Sequence, residues 1–235
     1  MVFRQTRESY GYPRMTFELR DRGHAVGKSR VARLMREQGL RGSQKRRFRP
    51  VTTQSEHDRP IAPNHLGRIS EPTAIDRVWQ SDITYLSTDE GWLYLCTVMD
   101  TRSRRIIGWA FNASLRSDFV VKALRMARHR RGKLPEGIIV HSDRGVQYAS
   151  KRFRRELRRH GMIASMSRKA HCYDNARAEA FFSTLKRECV HRYRFATRAQ
   201  AQQTVFEWIE AFYNLKRRHS ALGYQSPIDF ENLKN

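Results

Sequence analysis

Acidic residues are scarce in this chain: 23 Asp and Glu stand against 46 Lys and Arg, giving its 235 residues a formal charge of +23. A surplus of that size repels itself unless a polyanion answers it, and nucleic acid is the partner it fits best. Cysteine is scarce too. Cys96, Cys172 and Cys189 form no C-x-x-C pair, which argues against a disulfide framework and a zinc ribbon, and the nine histidines show no zinc-finger spacing. No zinc is expected. No apolar run approaches a membrane span and the first residues carry no signal-peptide pattern, so a soluble intracellular protein without a membrane partner is expected. Apolar residues reach 39%, enough for one core of about 150 residues with a small appendage.

Three of the few acids sit in unusual places. Asp143 ends the β-branched run G-I-I-V-H-S, so its carboxylate falls at the carboxyl end of a buried strand. Asp82 lies inside another strand-like run, V-W-Q-S-D-I-T-Y-L, where a charge is out of place unless paired or metal-bound. Glu179 lies on a helix expected to open at Asp174 or Asn175, either of which can cap its first turn. On that helix Ala178, Phe181 and Leu185 fall to one side, and Asn175, Glu179 and Lys186 to another. Carboxylates brought together without buried cations repel one another, so a hard divalent ion with oxygen ligands is their natural partner. Two such ions can activate a nucleophile and stabilise the leaving oxygen of an in-line phosphoryl displacement.

Along the chain, residues 1–40 read as two helices, Pro13 to Asp21 and Lys28 to Gln38, the second closed by Gly39. With Arg30, Arg33 and Arg36 outward they suggest a helix-turn-helix that meets DNA, or else a plain basic hairpin. Residues 41–77 hold R-G-S-Q-K-R-R-F-R-P and then a stretch with Pro60 and Pro63 and no periodicity, a linker suited to tracking a phosphate backbone. Strands follow at 78–87, 92–100 and 104–112 as a meander, then a helix at 117–130, a strand at 137–142, a helix at 151–160 and a strand from Ala164 to Ser167. That order is a ribonuclease-H-like α/β fold, a mixed five-stranded sheet with flanking helices over 78–190, and it sets the first and fourth strands side by side. Residues 191–235 read as a helical extension, with Val205, Trp208, Ile209, Phe212 and Tyr213 as the apolar face of a helix from Ala199 to Asn214.

Other polar residues carry two readings each. Asp100 is a competing ligand or, the reading preferred, a turn residue at Thr101-Arg102. His141 and His171 are general bases or, preferably, structural hydrogen-bonding groups. Gln147 and Tyr148 orient DNA or pack a turn. Arg168 and Lys169 are candidates for substrate phosphates.

The stretches W-Q-S-D-I-T-Y, H-S-D-R-G-V-Q-Y and D-N-A-R-A-E-A-F-F-S-T-L-K-R-E resemble the catalytic core of D-D-E transposases and integrases. The 35 residues between Asp143 and Glu179, and Lys186 seven after the glutamate, match that pattern. More narrowly, S-Y-G-Y-P-R and R-R-H-S-A-L-G-Y-Q-S-P resemble the OrfB product of the insertion-sequence IS3 family. The resemblance implies a bacterial, nucleoid-associated transposase. Asp82, Asp143 and Glu179 would hold two Mg²⁺ ions, for which Mn²⁺ can substitute. DNA would be contacted by Lys186, Arg168, Lys169, Gln147, Tyr148, Asn175, Arg30 and Arg33. It further implies double-stranded element ends and target as substrates, a homo-oligomer on DNA, and an upstream-frame protein or frameshift fusion. A ribonuclease-H-type nuclease and a catalytically silent DNA-binding regulator are the other two classes.

Overall fold

Alternating apolar residues after Arg77 build a long hairpin, β1 (Val78–Thr88) and β2 (Gly91–Asp100), and β3 (Ile106–Asn112) extends it into an antiparallel meander. The computed structural model describes residues 2–43, 58–66, 71–168 and 175–233. Helix α4 (Ser117–Arg131) crosses over to β4 (Ile139–Ser142), and α5 (Lys151–Arg159) to β5 (Ile163–Met166). Both β4 and β5 add in parallel, giving the order β3-β2-β1-β4-β5. This is the mixed sheet expected from the sequence, with boundaries displaced by one or two residues.

The sheet separates two apolar layers. On one face Trp79, Cys96, Val98 and Ile107 pack against Phe119 and Leu124 of α4 and Phe153 and Leu157 of α5. Contact is tight: a Cβ on Gly108 would lie 2.2 Å from the Ala123 carbonyl, so only glycine lets α4 settle on β3. On the other face Leu86, Leu93, Leu95 and Met99 meet α6 (Ala176–Glu188) and α7 (Arg198–Glu207). Beyond Glu207 the helix widens into a π-helical stretch, Trp208–Asn214, which buries Trp208, Ile209, Phe212 and Tyr213 as its apolar spacing predicts. It also aims Asn214 at the edge of β3, where its side-chain amide exchanges two 2.9 Å hydrogen bonds with the Ile106 backbone.

The amino-terminal helices follow the expected pattern: after a short α1 (Val2–Gln5) come α2 (Tyr12–Asp21) and α3 (Lys28–Glu37), with Gly39 at φ +64°. Their placement was not legible. Tyr10, Met15, Val31 and Met35 belong to the same apolar cluster as Phe181 and Leu185 of α6. The Tyr10 hydroxyl donates to the Lys216 carbonyl and accepts from the Arg218 amide. Of the linker, residues 44–57 and 67–70 lie outside the described residues. Its middle lies along β5: the His65 amide donates to Ser165 Oγ at 2.9 Å. The last helix, α8 (Pro227–Asn232), is tied to the sheet by Glu231, which receives Arg105 and Arg131.

Candidate active site

The parallel pairing of β1 with β4 sets the geometry. Gln80 stands opposite His141, and Asp82 and Asp143 each lie two residues further on. The two carboxylates therefore emerge together just beyond the paired stretch, Asp82 within β1 and Asp143 one residue past β4. Asp82 Oδ1 accepts from the Ile83 amide at 2.8 Å, and Asp143 Oδ1 from the Gly145 amide at 2.9 Å. The turn is close at Gly145, where a Cβ would stand 3.0 Å from both Asp143 Oδ1 and Gln147 Oε1 and press on those side chains.

Burial first, and then the Asp143 charge, hold the Asp82 carboxyl well above the usual range. The Ile83 amide and Asn175 oppose that shift, and Glu179 adds to it. Glu179 itself is exposed on α6, with its acidity lowered by partial desolvation. So the fold brings Asp82 and Asp143 together and Glu179 within electrostatic reach. Among the described residues no three His, Cys, Asp or Glu side chains draw close enough to hold an ion. The donor set, all carboxylate oxygen, suits a hard divalent cation.

Lys186 lies where the helical spacing places it, near Asp82. Its ammonium sits 4.6 Å from the centre of the Tyr85 ring, and burial lowers its pKa against the pull of Asp82. Tyr85 in turn meets the half-exposed Trp92 edge-on at 4.8 Å. Gln147 donates to the Leu115 carbonyl at 3.4 Å and lines an open groove with Arg59, Arg116 and Arg152. Sequence reasoning missed those three arginines, because only the tertiary fold collects them. Arg168 is exposed beyond β5, Arg30 and Arg33 are exposed on α3, and Lys169 lies outside the described residues, as do His171 and Asp174.

Two expectations need correction. Tyr148 does not face DNA: it is 1% exposed, its hydroxyl 3.1 Å from Ser81 Oγ and its ring edge-on to Phe153, because the turn after Asp143 folds it under the sheet. Asn175 is not a surface contact or a helix cap. It stands at the cap position of α6 without capping it, is 6% exposed, and favours the ionised form of the Asp82 carboxylate. His141 is buried between Ser165 Oγ at 2.9 Å and Ser167 Oγ at 3.0 Å, a structural arrangement. Asp100 accepts from the Arg102 and Ser103 amides and is the turn residue expected.

A five-stranded mixed sheet with one carboxylate within its first strand and another just past its fourth is the ribonuclease-H-like core of integrases. Residues 72–172 and 160–227 match two family models, each described as an integrase core domain, and residues 1–48 match an HTH-like domain. The chain is 44% identical over 231 residues to the InsF transposase of insertion sequence IS3A from Escherichia coli strain K12, covering 98% of this chain and 80% of that protein. It is 46% identical over 226 residues to a 31 kDa protein of insertion element IS600 from Shigella sonnei, covering 96% and 82%. The chain belongs to the IS3 family of transposases. Likeness to solved structures reaches viral integrases at the level of fold. A simian T-cell lymphotropic virus intasome chain aligns with a TM-score of 0.57 at 14% identity, covering 88% of this chain and 67% of that one. The HTLV-2 integrase catalytic core domain in complex with magnesium gives 0.51 at 13%, covering 68% and 99%.

Proposed function

We propose that this chain performs DNA transposition as a D-D-E polynucleotidyl transferase, nicking the ends of its element and joining the freed 3′-hydroxyl to another phosphodiester. The observation that carries the reading is the strand register that sets Asp82 beside Asp143, with Glu179 bearing on Asp82 from α6. These three residues would hold two divalent ions, Mg²⁺ or in its place Mn²⁺, which when bound supply activation of the nucleophile and stabilisation of the leaving oxygen.

The chain's own part is positioning and charge. Lys186 brings a cation to a phosphate beside Asp82, and its contact with Tyr85 restrains a side chain that would otherwise be mobile. Arg59, Arg116 and Arg152 line the groove next to the Asp143 turn and neutralise a strand running past it. Arg30 and Arg33 meet the DNA backbone from α3, and Arg168 from the end of β5. In this reading the protein works in the bacterial cytoplasm on nucleoid DNA, as a homo-oligomer on paired ends, with an upstream-frame protein or a frameshift fusion adding end specificity. No described helix is long and apolar enough to cross a membrane.

Strand transfer with labelled element-end DNA and Mg²⁺ tests the reading, comparing wild type with Glu179→Gln. Joined products are expected from wild type alone, with DNA binding equal in both. Hydrolysed but unjoined ends would favour a nuclease, and binding without cleavage, even beside the upstream-frame protein, a silent regulator.

A further inference from the structure

The hairpin turn between β1 and β2 is braced from several sides. Thr88 Oγ1 donates to the Gly91 carbonyl at 2.6 Å, and the Asp89 amide donates to the Phe195 carbonyl at 2.9 Å. Arg198 fixes the turn further: its amide donates to Glu90 Oε2, and its guanidinium to the Glu90 and Trp92 carbonyls. The turn so held sends a large aromatic side chain outward. Trp92 is 50% exposed, whereas Trp79 and Trp208 are wholly buried. An indole left half in water adds little to the core, and a rigid backbone keeps it facing solvent.

Its neighbours define what it can receive. Trp92 meets Tyr85 edge-on at 4.8 Å, and the Lys186 ammonium lies 4.6 Å from the centre of the Tyr85 ring. Aromatic rings beside cations suit single-stranded nucleic acid, whose bases stack on the rings while its phosphates meet the charge. The two acids of the turn are answered locally, Asp89 by Arg194 and Glu90 by the Arg198 amide, which leaves the Lys186 charge for a phosphate. Tyr85 lies three residues beyond Asp82 on β1. At the rise of a strand that is about 10 Å, or about three base steps of DNA.

We propose that Trp92, backed by Tyr85, is a stacking platform for an unpaired DNA base within about three nucleotides of the phosphate at Asp82. The inference rests on the reading that DNA reacts at Asp82, and it adds a base contact to that reading. A base inside a duplex is covered on both faces, so the platform favours ends that have opened.

The test is gel-shift affinity of the full chain, in chelator, for element-end DNA whose last three base pairs are either matched or opened by mismatches. Trp92→Ala is expected to weaken binding to the opened end about fivefold or more, and to the matched end far less. Trp92→Phe, which keeps a ring, should retain most of the affinity. An abasic site at one of the three positions should weaken wild type by a like factor and Trp92→Ala no further. Melting of both variants within a few degrees of wild type shows that they fold. If Trp92→Ala binds opened ends as wild type does while Lys186→Met is weakened, the platform is overturned and DNA at Asp82 stands. If Lys186→Met also binds as wild type does, that reading fails and the platform with it. A loss in Trp92→Ala that is equal on matched and opened ends, or that accompanies loss of an oligomer in sedimentation, overturns the platform as well. The indole would then serve the duplex or a second copy of the chain.

Discussion

Glu188, the last residue of α6, receives two 2.7 Å hydrogen bonds from Arg217, and both side chains are almost wholly buried. Arg14 of α2 stands 3.8 Å from the same carboxylate, so one charge joins the amino-terminal helices, the helix of Glu179 and the carboxyl-terminal segment.

Removing one partner leaves the other charged in the interior. Arg217→Met is expected to cost about 3–5 kcal/mol in urea unfolding. Burial pushes the Glu188 pKa up, but the Arg217 hydrogen bonds and charge, with Arg14 and Arg187, hold it below the ordinary value. Its stabilising share is therefore present above the unfolded pKa and is lost as pH falls through the depressed folded one. Between pH 5 and pH 3 the wild type should lose more stability than a Glu188→Gln, Arg217→Met double variant. Equal losses would remove Glu188 from the acid transition.

The carboxyl of Asp82 has the opposite sign. Burial and Asp143 raise its folded pKa, so the stability it contributes belongs to the protonated form and is lost as pH rises through that value. Asp82→Asn is expected to melt higher than wild type at pH 7.5 in chelator, each 1 kcal/mol appearing as about 2–4 °C. Mg²⁺ should raise the wild-type midpoint and leave the variant where it was. A variant that melts lower in chelator would show the carboxylate to be stabilising without metal.

Tyr148 separates packing from recognition. Tyr148→Phe keeps the ring against Phe153 but strips the hydroxyl from Ser81 and Cys96, for an expected cost of about 1 kcal/mol, and Tyr148→Ala about 3–5 kcal/mol. Neither change should alter the DNA affinity of the folded fraction by gel shift. A loss of affinity in Tyr148→Phe would put the residue back on the substrate.

Lys186→Met keeps the apolar stem over Tyr85 and deletes the charge. The slope of log affinity against log salt is expected to fall by about 0.9 for one lost phosphate contact. The double substitution Arg30→Ala, Arg33→Ala should lower it by about 1.8 on the same basis if each meets one phosphate. Since both arginines are exposed, unfolding should shift by less than about 0.5 kcal/mol. Unchanged salt slopes would mean that neither surface touches the DNA backbone.

Much of the fold was legible because its signals are local. Strand-like runs between turns marked β1, β2 and β3, a proline start and a glycine stop marked α2, and helical spacing marked α3 and the apolar face of 205–213. Spacing also marked Asp82, Asp143, Glu179 and Lys186, all of which lie on the elements expected. Asn175 and Tyr148 were misplaced for one reason. A polar or aromatic residue beside a site can point out to substrate or in to its neighbours, and periodicity near a turn does not decide which.

Residue order by itself determined where strands and helices form, which faces are apolar, and how many residues separate the acidic groups, because each depends on neighbours within a few positions. Tertiary structure decided the rest. The parallel pairing of β1 with β4 put Asp82 next to Asp143 across the 60 residues between them. Docking of α2 and α3 on α6 joined the amino-terminal segment to the core. Such relations join residues far apart in the chain, and their energies come from desolvation and packing that exist only once the layers have closed.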